Sequence, residues 1–261
     1  MNNLFFIAGP CLAESKEMLF EVAEELKAIS YSVGCEIIFK ASYRKANRTS
    51  INSFAGVGDE IALNWLAEVK EKFDLKVLTD VHSPDEATLS AKYVDLIQIP
   101  AFLCRQTDLL IAAGETGKTV NIKKGQFVSP ETIIRAANKV ASTGNSSIML
   151  TERGTFFGYN DLVVDFRSLP VMKKSGYPVI YDATHSLQRP SIGEQSGGFP
   201  ELIPYLARGA VAVGVDGIFF ETHPNPKVAM SDKDTQLPLA FANKFINELF
   251  ILNKLVNNVI V

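Results

Sequence analysis

Eight short runs of apolar, β-branched and aromatic residues, each followed by a longer stretch of helical period, predict an α/β protein with a parallel sheet. Eight strand–helix units are the number that closes a (β/α)8 or TIM barrel, and 261 residues without a linker, low-complexity tract or internal repeat suit one such domain, 1–261. A composition of 47% hydrophobic and 21% charged residues provides the apolar surface for one large core and argues against disorder.

The strands are expected at Leu4 to Ala8, Glu36 to Ala41, Lys76 to Thr79, Asp95 to Ile99, Thr119 to Ile122, Ser147 to Thr151, Pro178 to Asp182 and Gly217 to Glu221. The first run lacks a basic flank and is too short for a signal peptide or a membrane span, so it reads as a strand. From Lys16 to Ser30, Met18, Val22, Leu26 and Ile29 share one face while the charges fall mostly elsewhere, the pattern of an outer amphipathic helix. Ser83-Pro84-Asp85-Glu86 carries an N-cap, a proline at the first helical position and the glutamate of a capping box, and Ser129-Pro130-Glu131 opens another helix. The last helix, from about Leu239 to Val256, is more apolar, and packing on the barrel is expected to use its large residues before a subunit interface does. Gly193, Gly197 and Gly198 suggest a flexible lid after the seventh strand.

A net charge of -3 and a pI near 5.7 exclude a global field for nucleic acid or an anionic membrane. Three cysteines with no C-x-x-C spacing exclude a disulfide framework and an all-cysteine zinc knuckle, and fit a reducing cytoplasm.

Against that acidic background, Lys40, Arg44, Lys45 and Arg48 fall in nine residues without a carboxylate. In a parallel barrel every strand's C-terminal end opens on one face, so the strand ends belong together. In order they carry Cys11; Lys40, Ser42 and Lys45; Asp80 and His82; Gln98; Lys123 and Lys124; Glu152 and Arg153; Asp182 and His185; and Glu221 and His223. One polar residue there marks only the exit from the core. Eight such ends predict an active site. Lys40, Lys45, Arg48, Lys123 and Arg153 around one mouth require anionic counter-charges, and a mixture of arginine forks and lysine point charges suits a substrate with several phosphate or carboxylate groups. Cys11, His185, Glu221 and Asp232 offer a thiolate, an imidazole and two carboxylates that zinc or ferrous iron would accept. Their spacing is too wide to be a motif by itself, and an isolated Cys11 is as readily a small buried side chain.

The segments Lys40-Ala41-Ser42, Lys45-Ala46-Asn47-Arg48-Thr49-Ser50, Leu78-Thr79-Asp80-Val81-His82 and Gln98-Ile99-Pro100-Ala101-Phe102 resemble those of the 3-deoxy-D-manno-octulosonate 8-phosphate synthases. The likeness continues through Asn121-Ile122-Lys123-Lys124-Gly125-Gln126, Thr151-Glu152-Arg153-Gly154-Thr155, Asp182-Ala183-Thr184-His185-Ser186 and Glu221-Thr222-His223-Pro224, in order along essentially the whole chain. That family condenses phosphoenolpyruvate with D-arabinose 5-phosphate and water, releasing phosphate, on the route to lipopolysaccharide. The resemblance implies that Lys45, Lys123 and Arg153 hold the phosphate and carboxylate of phosphoenolpyruvate, with Lys40, Ser42 and Gln98 nearby. It implies that Asn47, Arg48 and Thr49 grip the sugar phosphate and that Asp80 hydrogen-bonds the sugar. Lys45, Lys123, His185 and Asp232 are the catalytic residues on this reading. It further implies a homotetramer in which the sugar-phosphate loop acts across a subunit boundary. Cysteine at position 11 marks the metal-dependent class, with Cys11, His185, Glu221 and Asp232 around zinc, iron or manganese. Ser231-Asp232-Lys233-Asp234 departs from the Asp-Gly-Pro pattern of many relatives, so Asp234 competes with Asp232 for the fourth place.

Three rivals remain open at this level. A related synthase uses erythrose 4-phosphate, but its loop reads Lys-Pro-Arg-Thr where this chain has Lys45-Ala46-Asn47-Arg48-Thr49. An aldolase could form a Schiff base on Lys40 or Lys123. A barrel that binds sugar phosphate without turnover is the third.

Overall fold

The structure, a computed structural model, describes residues 4–47, 54–189 and 197–259. Arg48, Thr49 and Gly193 lie outside the described residues.

Eight parallel strands follow one another around the sheet: β1 (Phe5–Gly9), β2 (Ile37–Lys40), β3 (Lys76–Asp80), β4 (Leu96–Ile99), β5 (Thr119–Lys123), β6 (Ile148–Glu152), β7 (Val179–Asp182) and β8 (Gly217–His223). β8 returns to pair with β1, from Phe5 opposite Gly217 to Gly9 opposite Glu221, and the barrel closes. Each expected strand is present, displaced by a residue or two at its ends.

The helices are α1 (Lys16–Val33), α2 (Asp59–Phe73), α3 (Pro84–Ser90), α4 (Thr107–Glu115), α5 (Pro130–Ala141), α6 (Ser168–Lys173), α7 (Ile203–Val213) and α8 (Ala242–Val259). Ser15 caps α1 by accepting from the Met18 amide, and Gly34, at φ 72°, ends it in the left-handed conformation that glycine adopts without strain. Leu19, Val22, Ala23, Leu26 and Ile29 form its buried face, and Met18 is only partly covered. Ser83 caps α3 as its sequence requires, but Glu86 does not complete the capping box on Ser83. Its carboxylate accepts from the backbone N–H of His82 instead, at 3.0 Å. α8 begins three residues later than its hydropathy suggests, after a 3-10 turn at Leu239–Phe241, and packs Phe245, Ile246, Leu249 and Phe250 inward.

Side chains on a strand alternate between faces, and here the alternation divides the core in two. Phe6, Ile37, Phe39, Val77, Ile97, Ile122, Leu150 and Phe220 belong to the larger cluster beneath the helices. Ile7, Ile38, Leu78, Leu96, Ile180 and Phe219 form a separate cluster inside the barrel. Close approach at the top of β1 demands glycine: a Cβ on Gly9, which has φ 152°, would stand 2.1 Å from the Lys40 carbonyl oxygen. Among the described residues no helix is long and apolar enough to cross a membrane.

Candidate active site

The phase that points into the barrel is apolar at the bottom and changes character toward the C-terminal ends. Two residues beyond Ile38 comes Lys40; beyond Leu78, Asp80; beyond Leu96, Gln98; beyond Ile180, Asp182; and beyond Phe219, Glu221. Asn121 precedes Lys123 on β5 in the same way, and Thr151 on β6 precedes Arg153 just past its end. Two-residue periodicity therefore delivers these groups to the mouth. It also explains two that do not arrive. Lys124 and Glu152 are one residue out of phase and meet each other outside the barrel at 3.4 Å, where Ser168 donates to Glu152 and Lys124 donates to Thr155.

At the mouth, Lys40 Nζ lies 2.6 Å from Glu221 Oε1, 3.8 Å from Asp80 Oδ2 and 3.1 Å from the Cys11 carbonyl oxygen. Both Lys40 and Glu221 are fully buried, so neither charge is compensated by solvent. Burial is the largest influence and disfavours the Lys40 ammonium, yet the acidic neighbours, Glu221 first and then Asp80, together outweigh it and keep the amine above its ordinary range. The same balance holds Glu221 below the carboxylate range: burial opposes ionisation, and Lys40 and His185 overcome it.

Lys123 Nζ pairs with Asp182 Oδ2 at 2.7 Å and stands 3.8 Å from the Phe219 ring centroid, a cation–π arrangement. Burial pulls the Lys123 amine below its usual value despite Asp182. Arg153 donates through Nη2 to Gln188 at 3.0 Å, while its buried Nη1 has no hydrogen-bond partner. Buried guanidinium donors are ordinarily satisfied, so an unpartnered one at a mouth points to an anionic ligand. Lys45 Nζ reaches Asp232 Oδ2 at 3.7 Å. Ser42 and Gln98 both serve Asp80, at 2.5 Å and 2.7 Å. Asn47 is exposed at the end of a described segment.

Cys11, Glu221 and Asp232 each place a ligand atom within 4.8 Å of the other two. The Cys11 thiol donates to Asp232 Oδ2 at 2.9 Å. Burial, and then the neighbouring Asp232 and Glu221 carboxylates, push that thiol well above its usual range, so by itself it stays protonated. Glu221 Oε2 is buried without a hydrogen-bond partner. His185 stands beside Glu221 at the edge of this cluster: its Nδ1 faces Asp182 Oδ2 at 2.9 Å, and Nε2 stands 3.6 Å from Glu221 Oε1. An ionised Asp182 can only accept, so Nδ1 carries the proton and Nε2 keeps its lone pair toward the cluster, as a carboxylate-oriented metal-binding histidine requires. A buried thiol, two carboxylates, an orphaned oxygen and an oriented imidazole fit a divalent transition metal.

Local folding explains how Asp232 arrives. After β8, Leu237–Pro238 returns to pair with Thr222 and His223, and Gln236 donates to the Ser231 carbonyl oxygen. Asp232 adopts φ 46°, a left-handed conformation that aspartate tolerates better than most residues. Asp234 is exposed, so Asp232 and not Asp234 stands beside Cys11.

Two of the three histidines are engaged elsewhere. His82 pairs with Glu86 at 2.9 Å, and His223 accepts from the Asn225 amide with Glu14 at 3.6 Å. The lid reading is not supported at Gly198, where a Cβ would come within 2.3 Å of Thr235 Cγ2 and 2.9 Å of the Leu187 carbonyl oxygen. That glycine answers close packing. Sequence reasoning did not single out Asn121, Thr151, Gln188 or Phe219 as site residues, although the inward phase of β5, β6 and β8 is a signal for all but Gln188.

The comparisons agree with this geometry. The family model described as the DAHP synthetase I family matches residues 2–256. A protein of Desulfatibacillum aliphaticivorans named 2-dehydro-3-deoxyphosphooctonate aldolase is 50% identical over 96% of this chain and 92% of its own length. Proteins with the same name from Trichlorobacter lovleyi and Granulibacter bethesdensis are 51% and 54% identical, over 97% and 91% of this chain and 93% and 86% of their own lengths. A closed barrel whose inward phase ends in lysines, arginine and carboxylates, matched along nearly its full length, places the chain in the DAHP synthetase I family.

Proposed function

We infer that this chain is a 3-deoxy-8-phosphooctulonate synthase, which joins phosphoenolpyruvate to D-arabinose 5-phosphate with water and releases inorganic phosphate. The observation that carries this reading is the convergence of Lys40, Lys45, Lys123 and Arg153 on one mouth, in a chain about half-identical to proteins named 2-dehydro-3-deoxyphosphooctonate aldolase. The related erythrose 4-phosphate chemistry is disfavoured by Ala46 and Asn47 in the loop after β2.

Carbon 3 of phosphoenolpyruvate bonds to the aldehyde carbon, and water adds at carbon 2. The bond from carbon 2 to the phosphate oxygen then breaks as the carbon 2 hydroxyl becomes the ketone; one proton of the water ends on the new hydroxyl of the former aldehyde and the other on the departing phosphate. Lys45, Lys123 and Arg153 neutralise phosphoenolpyruvate and hold it against a second anion, while Asp80 accepts from the sugar. Ser42, Gln98 and Lys40 fix Asp80 and Glu221 in place. Asp182 orients His185.

In the same reading the enzyme belongs to the metal-dependent class, and Cys11, His185, Glu221 and Asp232 hold the ion. Bound there, a divalent ion supplies Lewis acidity that acidifies water or polarises a carbonyl. The chain assembles as a homotetramer in the cytoplasm, with residues 47–49 completing the sugar-phosphate site. The exposed aromatic residues Phe102, Phe127, Phe156 and Phe157 support association.

The test is phosphate release from phosphoenolpyruvate with arabinose 5-phosphate or erythrose 4-phosphate, before and after exhaustive chelation and after adding back zinc, iron or manganese. Turnover is expected with the five-carbon aldehyde, abolished by chelation and restored by metal. Full activity in verified metal-free protein eliminates an essential ion, and preference for erythrose 4-phosphate eliminates the substrate assignment.

A further inference from the structure

On the inward face of the barrel, toward the mouth, four adjacent strands carry polar side chains where a parallel barrel ordinarily stacks aliphatic ones. Thr151 on β6 donates to Asn121 Oδ1 at 2.7 Å, Asn121 Nδ2 on β5 donates to Gln98 Oε1 at 2.8 Å, and Gln98 Nε2 on β4 donates to Asp80 Oδ1 at 2.7 Å. Thr151, Asn121 and Gln98 are buried to 1% exposure or less.

The direction of this ladder is fixed from one end. Lys40, Lys45 and Lys123 hold Asp80 ionised against its burial, and an ionised carboxylate only accepts. Gln98 must therefore turn its NH2 toward Asp80, which leaves its carbonyl oxygen for Asn121. Asn121 must then present its NH2, and its own oxygen takes the Thr151 hydroxyl. Every donor points toward Asp80, so reversing one amide breaks two bonds at once. On the other side, Ser42 donates to Asp80 Oδ2 at 2.5 Å. Each carboxylate oxygen is thus held by a donor from a neighbouring unit of the barrel, and the lone pairs left over are aimed by that grip.

Buried hydrogen bonds of this kind add little net stability over well-packed aliphatic side chains, because desolvation offsets most of their gain. Their consequence is the orientation of the group at the end. We propose that Asn121 and Thr151 are positioning residues that act through Gln98 to fix the Asp80 carboxylate plane, and with it the affinity for the hydroxylated aldehyde substrate. This rests on the synthase reading above.

The experiment compares Thr151→Val, Thr151→Ser and Asn121→Ala in the metal-loaded enzyme, measuring KM separately for arabinose 5-phosphate and phosphoenolpyruvate. Thr151→Val keeps the side-chain shape and removes only the donor. It is expected to raise the KM for the aldose phosphate by about threefold, and Asn121→Ala by about tenfold, with the KM for phosphoenolpyruvate changing less than twofold. Thr151→Ser restores the hydroxyl and is expected to restore the wild-type KM. In an Asp80→Asn background, Thr151→Val should have no further effect on either KM. Equal changes in both KM values, no change in either, or a serine variant as impaired as the valine variant overturns the proposal. If Asn121→Ala does not fold, the threonine pair decides the matter. Wild-type enzyme that releases no phosphate would overturn the synthase reading instead.

Discussion

Replacing Lys40 by methionine tests the electrostatic logic of the mouth. Methionine keeps the length and most of the volume of the lysine stem, so the loss is chiefly the ammonium. That ammonium is 2.6 Å from Glu221 Oε1 in a pair with 1% and 0% of side-chain area exposed. Removing one member of such a pair leaves an uncompensated buried charge and costs about 3–5 kcal/mol. His185, 3.6 Å from the same oxygen, recovers part of this only when protonated. For a domain of this size 1 kcal/mol moves Tm by about 2–4 °C, so the chelated Lys40→Met protein should melt roughly 6–20 °C below wild type. On the metal-dependent reading a divalent ion would change the comparison, because it would supply at Glu221 the positive charge that the variant lacks. In wild type it would share that carboxylate with Lys40. The metal-induced rise in Tm, read by circular dichroism at one scan rate with and without chelator, should therefore be larger in the variant. A variant within about 1 kcal/mol of wild type when chelated, or an equal metal-induced rise in both proteins, refutes the assignment of Lys40 as the counter-charge of Glu221.

Glu86 gathers hydrogen bonds from His82 and from the Tyr43 hydroxyl and an ion pair from Arg44. Burial opposes its ionisation, but the bonds from His82 and Tyr43 hold the carboxyl at about 2 against an ordinary 4.5. Its contribution is therefore fully present above pH 4.5 and lost as pH falls through 2. Urea unfolding of Glu86→Gln should show a deficit of about 3 kcal/mol at pH 7 that falls to about 1 at pH 3, and a deficit independent of pH would contradict this. Gly9→Ala places a methyl where only 2.1 Å separates it from the Lys40 carbonyl oxygen. Soluble yield should collapse or stability fall by more than about 3 kcal/mol, and an unchanged Tm would show that β1 and β2 can part without loss. Borohydride added during turnover should trap no adduct on Lys40 or Lys123, as judged by intact mass. Lys40 is held charged by Glu221, and an adduct on Lys123 would establish the Schiff-base rival.

The barrel was legible because hydropathy period and element length are local properties, and eight runs of strand length survive any reading of the loops between them. The candidate site was legible only in part, for reasons that differ residue by residue. Lys124 and Glu152 look like mouth residues to a reading that stops at the strand end, yet a strand's two faces are set by parity, and the partners of the inward Lys123 and Arg153 must point outward. His82 and His223 lie at strand ends too, but Glu86, four residues on, takes the first, and Glu14 on the loop after β1 stands beside the second, a contact with no sequence signature. Asn121 and Thr151 could be found by the same parity that excludes Lys124, since a polar side chain on the inward phase of a buried strand must have a partner.

The donor set shows the other limit. Cys11 and Asp232 are separated by 221 residues, and no spacing rule connects them. Closure connects them: because β8 pairs with β1, Gly9 stands opposite Glu221, and the first two residues past one strand meet the loop past the other. In a closed barrel the chain order is effectively circular, so residues near the two ends of the sequence are as much neighbours as those in consecutive loops. Candidate ligands drawn from the first and eighth units, Cys11, Glu221 and Asp232, are thus neighbours in the fold. They look dispersed only when the sequence is read as a line.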